Sequence, residues 1–355
     1  MSIVTTIHKK IEIELANSLE KIEKKYSFTP LLSSLFMNTK HFILNSGKRI
    51  RPILFILIYK GLTQQKQNNL YNIAISLELL HNFILIHDDI VDNSDLRRGK
   101  PTMHKLFDSI LKKKQSESIK GTDIALIIGD FLYAAALNTF IKTPLNPLKK
   151  DALLQNFSEV GMLTGTGEFL DLLYGTMPLK TLKKKDILTL YDLKTGYYSF
   201  TFPFTAAAIL ANSTDAQINL LSQYAALCGR AFQINNDIHD FTNSSLDDKK
   251  RFIEDIKNSK KTLFIWYTYF LANKKQQQSL DAILTKKQPT KKEIETVITI
   301  INETKTLSLI KREIIQLFDN ARKISGKIGF RNDYSIILNS YIKSLLNRDK
   351  DYAHS

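Results

Sequence analysis

Apolar residues along this chain recur mainly at helical spacing, and almost nowhere do they alternate with polar ones. Within residues 5–25, Ile7, Ile11, Leu15 and Leu19 fall four apart among charged neighbours, which predicts an amphipathic opening helix. A second helix is expected over 31–44, with a stop signal at Asn45-Ser-Gly47. After Gly47-Lys-Arg-Ile-Arg-Pro52 comes an apolar helix at 53–61, then a long apolar-periodic segment over 70–92 closed by three acids. Residues 93–123 read mainly as loop, with a polar, mobile insertion near 112–122. Helical patterns resume at 124–141, stop at Pro144 and Pro147, and run again over 148–175. A helix starting near Asp186 is interrupted at Lys194-Thr-Gly196. Further helices are predicted over 204–211, 215–240, 260–272, 276–286, 291–307, 308–328 and 334–346, with a frayed polar tail at 347–355. With no linker dividing it, the pattern predicts an all-α fold: a single domain over 1–355, one large helical bundle of about a dozen helices.

Composition agrees. Thirteen glycines and eight prolines in 355 residues are few, which favours long helices over many-turned β structure. The lone cysteine, Cys228, cannot form an internal disulfide and suits a reducing compartment. A net charge of +15 points to anionic partners: nucleic acid, a membrane surface or phosphorylated small molecules. The lysines are dispersed, however, and no zinc spacing or aromatic-basic signature accompanies them, so nucleic acid is not expected. The N-terminus lacks the apolar core of a signal peptide, and no apolar stretch reaches the roughly 18 residues of a spanning helix. The expectation is a cytoplasmic protein without a membrane span.

The candidate chemistry begins at the acidic end of segment 70–92. Asp88 and Asp92 are four apart and share a helix face, with Leu85 and His81 behind them on the same stripe. Arg97 and Arg98 follow closely. A solvated helix end neutralised by its arginines explains this segment as well as a metal site does. A second acidic cluster, Asn236-Asp-Ile-His-Asp240, lies far downstream, and helical bundles build ligand sites from residues on facing helices. Oxygen ligands without a cysteine or paired-histidine spacing point to Mg²⁺, which takes one or two carboxylates and completes its shell with water and phosphate. Dispersed cations, at Lys48, Arg51, Arg97, Arg98, Lys194 and Lys260, then suggest a diphosphate substrate.

In combination these segments resemble the trans-isoprenyl diphosphate synthases, the polyprenyl synthetase family. Gly47-Lys-x-x-Arg-Pro52, His81, Asp88-Asp-x-x-Asp92 with Arg97-Arg-Gly99, Gly129-Asp130, Gly167-Glu-x-x-Asp-Leu172, Lys194-Thr-Gly196, Phe232-Gln233 and Asp255-Ile-x-x-Ser-Lys260 fall in the family's order. The resemblance implies that Asp88 and Asp92 bind Mg²⁺ bridging an allylic diphosphate, up to three ions in all. Arg97, Lys194 and Lys260 would neutralise that diphosphate as it leaves. Lys48, Arg51, His81 and Arg98 would hold isopentenyl diphosphate, and Thr195 and Gln233 would border the developing allylic cation. A distorted helix at Lys194-Thr-Gly196 would free carbonyl dipoles to face that cation, and a plain helix boundary at Gly196 explains the break equally well. A homodimer is the family's usual assembly.

Two positions depart from the family pattern. Asn236 stands where the family's second acidic motif begins with a metal-binding aspartate, and it offers an amide oxygen without the charge. Ser259 replaces the usual glycine before Lys260. The asparagine keeps two alternatives open: a class I terpene cyclase, and a non-catalytic subunit of a heteromeric prenyl synthase. Phe83, five residues before Asp88, matches the position where a bulky residue floors the family's elongation pocket. With no two-residue insertion inside the first acidic motif, that resemblance implies a C20 product, with C15 next; the alternative role for Phe83 is an ordinary core aromatic.

Overall fold

The helical spacing is realised almost throughout the computed structural model, which describes residues 2–45, 47–97, 99–113, 118–242, 249–286 and 288–346. The chain divides into two compact units, residues 1–154 and 155–355.

The first unit contains α1 (Ile3–Tyr26), α2 (Pro30–Leu44), α3 (Ile50–Leu62), α4 (Leu70–Val91), α5 (Met103–Lys113) and α6 (Gly121–Lys142). Its centre is α4, which lies against α1, α3, α5 and α6. On α1 the expected stripe of Ile7, Ile11, Leu15 and Leu19 is buried, and full burial of such a side chain contributes roughly 1.5–3 kcal/mol. Nearly all of α3 is enclosed. It starts at Ile50 rather than 53 because Arg49, at φ 47°, turns the chain into the helix, and Pro52 sits in the first turn, where an N–H is not needed.

The loop expected over 93–123 is only partly a loop. A two-residue antiparallel ribbon, β1 (Leu96–Arg97) with β2 (Lys100–Pro101), turns at Gly99, whose φ of 74° suits glycine. Then α5 follows: Met103, Leu106, Phe107, Ile110 and Leu111 recur at helical spacing, and the buried Met103 and Phe107 face α4 and α6. The insertion expected near 112–122 therefore overlaps the end of α5 and the start of α6, and residues 114–117 lie outside the described residues. So does the tail at 347–355. By length and composition α4 and α6 could cross a membrane, but most of α4 is buried within its unit.

The chain passes through α7 (Pro147–Thr176) into the second unit. There α8 (Lys184–Tyr191) runs into a π-helical segment over Asp192–Thr201, followed by α9 (Phe202–Leu210) and α10 (Asp215–Ile238). Beyond them lie α11 (Lys250–Lys257), α12 (Leu263–Leu271), α13 (Lys274–Leu284), α14 (Lys291–Glu303), α15 (Thr306–Ser325) and α16 (Asn332–Leu346). The organising helix is α10, which packs against α8, α9, α12, α15, α16 and the π segment. A capping box at Thr214 and Gln217 starts it. With α5 and α11, short amphipathic helices that the reading of the apolar pattern passed over, the chain exceeds the dozen helices expected. The fold is all-α.

Candidate active site

In the first unit, α4 delivers its functional residues through one stripe. His81, Asp88 and Asp92 recur at helical intervals, and three residues before His81 the stripe also carries Glu78. The three acids at the end of α4 have separate surroundings. Asp89 is fully enclosed and is engaged by Arg97, whose Nε donates to Oδ1 at 2.9 Å and whose Nη2 donates to the same oxygen. Burial pushes the Asp89 carboxyl up to about 6, with Arg97 opposing that rise. Arg97 Nη2 also lies 3.4 Å from Asp88 Oδ2.

Asp88 and Asp92 are partly exposed, on one face, and offer hard oxygen donors. Two such carboxylates are what Mg²⁺ takes when water and phosphate complete its shell, so the donor set fits. His87, beside Asp88, rests on α6: a Cβ at Gly129 would fall 2.3 Å from its ring, and its Nε2 lies 3.4 Å from Asp130 Oδ1. Phe83 is half-buried and meets the rings of His87 and Tyr133 at 4.7 and 5.1 Å between centroids.

Lys48 is exposed, while Arg51 and His81 are buried. Between Lys48 and Arg51 stands Arg49, which the motif reading passes over. Its side chain is buried against Glu12 and Glu78. Arg98 lies outside the described residues.

In the second unit, Lys194 and Lys260 meet at one carboxylate. Lys194 Nζ donates to Asp171 Oδ2 at 2.7 Å and to Glu168 Oε2 at 2.9 Å; Lys260 Nζ donates to the same Asp171 oxygen at 2.5 Å. Burial alone would raise the Asp171 carboxyl, but the two ammonium groups more than offset it and hold it below its usual range. Lys194 is brought there by a close helix approach: a Cβ on Gly167 of α7 would stand 2.5 Å from Lys194 N. The expected distortion at Lys194-Thr-Gly196 is the π segment, which carries Thr195 half-buried. Arg230 on α10 pins its first turn, donating to both oxygens of Asp192 at 2.8 and 2.6 Å.

Gln233 Nε2 donates to Asp237 Oδ1 at 2.8 Å, and the buried Tyr191 hydroxyl donates to Asp237 Oδ2 while accepting from Leu263 N at 2.6 Å. Tyr191 thus joins the start of the π segment, the second acidic cluster and the start of α12. Asn236 is 8% exposed at the end of α10. The side chain of Asp240 lies outside the described residues. Ser259 has a left-handed φ of 55°, the region that favours glycine, and its hydroxyl donates to the Leu284 carbonyl at 3.1 Å.

Of the supporting residues, Asp171 lies inside a motif legible in the sequence, and Glu78 lies on the stripe of His81. Asp237 lies inside the second acidic cluster, whereas Tyr191 and Arg49 carry no signal of spacing. Their roles arise from contacts between segments distant in sequence.

An all-helical chain with a carboxylate-tipped helix and lysines gathered on a buried aspartate has the build of an enzyme that handles diphosphates. The polyprenyl synthetase family model matches residues 33–301 of the 355. The chain belongs to the polyprenyl synthetase family and is an isoprenyl diphosphate synthase, a prenyltransferase. It is 32% identical to a farnesyl diphosphate synthase of Micrococcus luteus, covering 80% of this chain and 93% of that protein. It is 29% identical to a short chain isoprenyl diphosphate synthase of Methanocaldococcus jannaschii, over 83% of this chain and 81% of the relative. Its fold matches a geranylgeranyl pyrophosphate synthase of Corynebacterium glutamicum, crystallised with isoprenyl diphosphate and magnesium, at a TM-score of 0.84. That likeness spans 96% of this chain and 99% of the other at 20% identity.

Proposed function

We propose that this chain condenses an allylic diphosphate with isopentenyl diphosphate in a Mg²⁺-dependent reaction, giving a trans-prenyl diphosphate of C20, with C15 next. The observation that carries the reading is the convergence of Lys194 and Lys260 on one Asp171 oxygen. Asp171, with Glu168, holds the two ammonium groups side by side, which supports their meeting one diphosphate together as its charge develops. Asp88 and Asp92 would hold Mg²⁺, with Asn236 as a weaker third-ion ligand; the ions, up to three, would neutralise diphosphate oxygens when bound. Arg97 stands beside Asp88 and Asp89, where it would balance their charge and meet the allylic diphosphate. As the allylic carbon–oxygen bond ionises, the lysines take the charge developing on diphosphate. Thr195 and Gln233 border the cation, which the alkene of isopentenyl diphosphate attacks; a proton then leaves for the released diphosphate. Lys48, Arg51, His81 and Arg98 hold isopentenyl diphosphate.

Phe83, backed by Tyr133, floors the elongation pocket on this reading. Residues 1–355 act as one domain, a view supported by the family match running across the division of the chain. The exposed Leu126 and Ile127 of α6 support a homodimer. Keeping the isopentenyl diphosphate residues argues against a cyclase, which has no use for them, and the complete first acidic motif argues against an inert subunit.

The test is Asp88→Ala. Wild-type protein should consume isopentenyl diphosphate with an allylic primer only when Mg²⁺ is present, and the variant should lose that turnover. Full activity in the variant would remove Asp88 from metal binding.

A further inference from the structure

Arg49 is a buried, many-bonded cation of the first unit. Its side chain is 1% exposed, and it makes four hydrogen bonds from the start of α3. Nε and Nη2 donate to the two oxygens of Glu12 on α1 at 2.6 and 3.3 Å. Nη1 donates to Glu78 Oε1 on α4 at 2.7 Å, and Nη2 also donates to the Ile43 carbonyl of α2 at 2.9 Å. One helical turn back on α1, His8 Nε2 donates to the Gly47 carbonyl at 3.0 Å. The backbone of Arg49 sits at φ 47°, which disfavours a residue with a Cβ and is kept only where surrounding contacts demand it. Glu78 is 2% exposed and lies three residues before His81 on the functional stripe of α4. The segment 47–52 is therefore clamped to the same face of the same helix that carries His81, Asp88 and Asp92.

We propose that the Arg49–Glu78 pair, steadied by Glu12, is a positioning device for isopentenyl diphosphate: it fixes the left-handed turn that sets Lys48 and Arg51 relative to His81. This rests on the reading of Lys48, Arg51 and His81 as the isopentenyl diphosphate grip. The pair itself touches no substrate. Its effect passes through the turn alone, so it acts on one substrate and not on the other.

The experiment compares steady-state kinetics of the full chain for both substrates in Lys48→Ala, Glu78→Gln and the paired replacement Arg49→Met with Glu78→Leu. Exchanging a buried ion pair for apolar residues is often neutral for folding, so the paired variant keeps the question open to measurement if the single one unfolds. The expected result is a rise of about tenfold in KM for isopentenyl diphosphate in Glu78→Gln and in the paired variant, with kcat and the KM for the allylic primer little changed. An unchanged KM for isopentenyl diphosphate in a folded paired variant, while Lys48→Ala responds, overturns the positioning role alone. No response in Lys48→Ala overturns the grip and the inference together. Equal losses for both substrates would reduce the pair to a structural bridge. If neither variant at Glu78 folds, Glu12→Gln, on the half-buried partner, should show the same selective rise at smaller size, and no rise there also overturns the proposal.

Discussion

Asp88, Asp89 and Asp92 crowd the end of α4, yet each meets different surroundings. Asp89 points into the protein and holds Arg97, while its neighbours keep partly exposed oxygens on one face. The i,i+4 pairing of Asp88 and Asp92 was legible from spacing. The inward turn of Asp89 was not, because it depends on where Arg97 returns from the β1–β2 ribbon. Asn236 was legible as a departure from the family pattern, and its consequence can be measured: Asn236→Asp restores a charge and should lower the Mg²⁺ concentration for half-maximal activity. An unchanged Mg²⁺ requirement would mean that this position does not bind metal. Phe83 was legible only by resemblance, since an ideal helix turns it roughly 140° from Asp88 at 100° per residue. Its stacking on Tyr133 makes it part of an aromatic wall, and Phe83→Ala should lengthen the product, as read by chromatography against prenyl standards. A product of unchanged length would take Phe83 out of chain-length control.

At the scale of elements, the long periodic helices were readable, and their ends moved by only a few residues. The misses were signals present but passed over: Met103, Leu106, Phe107, Ile110 and Leu111 recur at helical spacing in α5, and Phe252, Ile253 and Ile256 share one face of α11, though both helices are short and lie among polar residues. The break at Lys194-Thr-Gly196 was open in the sequence between a distorted helix and a plain glycine boundary, and the structure has the distortion: ten π-helical residues, Asp192–Thr201, whose start is pinned by Arg230. Gly167 decides whether that segment can reach Asp171. A methyl group there would stand 2.5 Å from Lys194 N and 2.7 Å from its Cα, both backbone atoms that cannot swing aside. Gly167→Ala should therefore lower stability by about 1–3 kcal/mol, the usual cost of overpacking, and reduce turnover by displacing Lys194. Denaturant unfolding and initial rates check both. Wild-type values for each would show that the close approach is dispensable.

For the molecule as a whole, the net charge of +15 suggested anionic partners without choosing among them. The ordered set of motifs made the choice, and the family match over 33–301 agrees with it. Relatives named for farnesyl and octaprenyl products share comparable identity with this chain, so overall similarity does not set its product length. Incubation with isopentenyl diphosphate and each allylic primer in turn, with and without Mg²⁺, followed by product sizing, separates a synthase from a cyclase and from an inert subunit. The expected product is a linear prenyl diphosphate longer than the primer, C20 before C15, formed only with Mg²⁺. A cyclic hydrocarbon from the primer alone, or no product with any primer, would contradict that expectation.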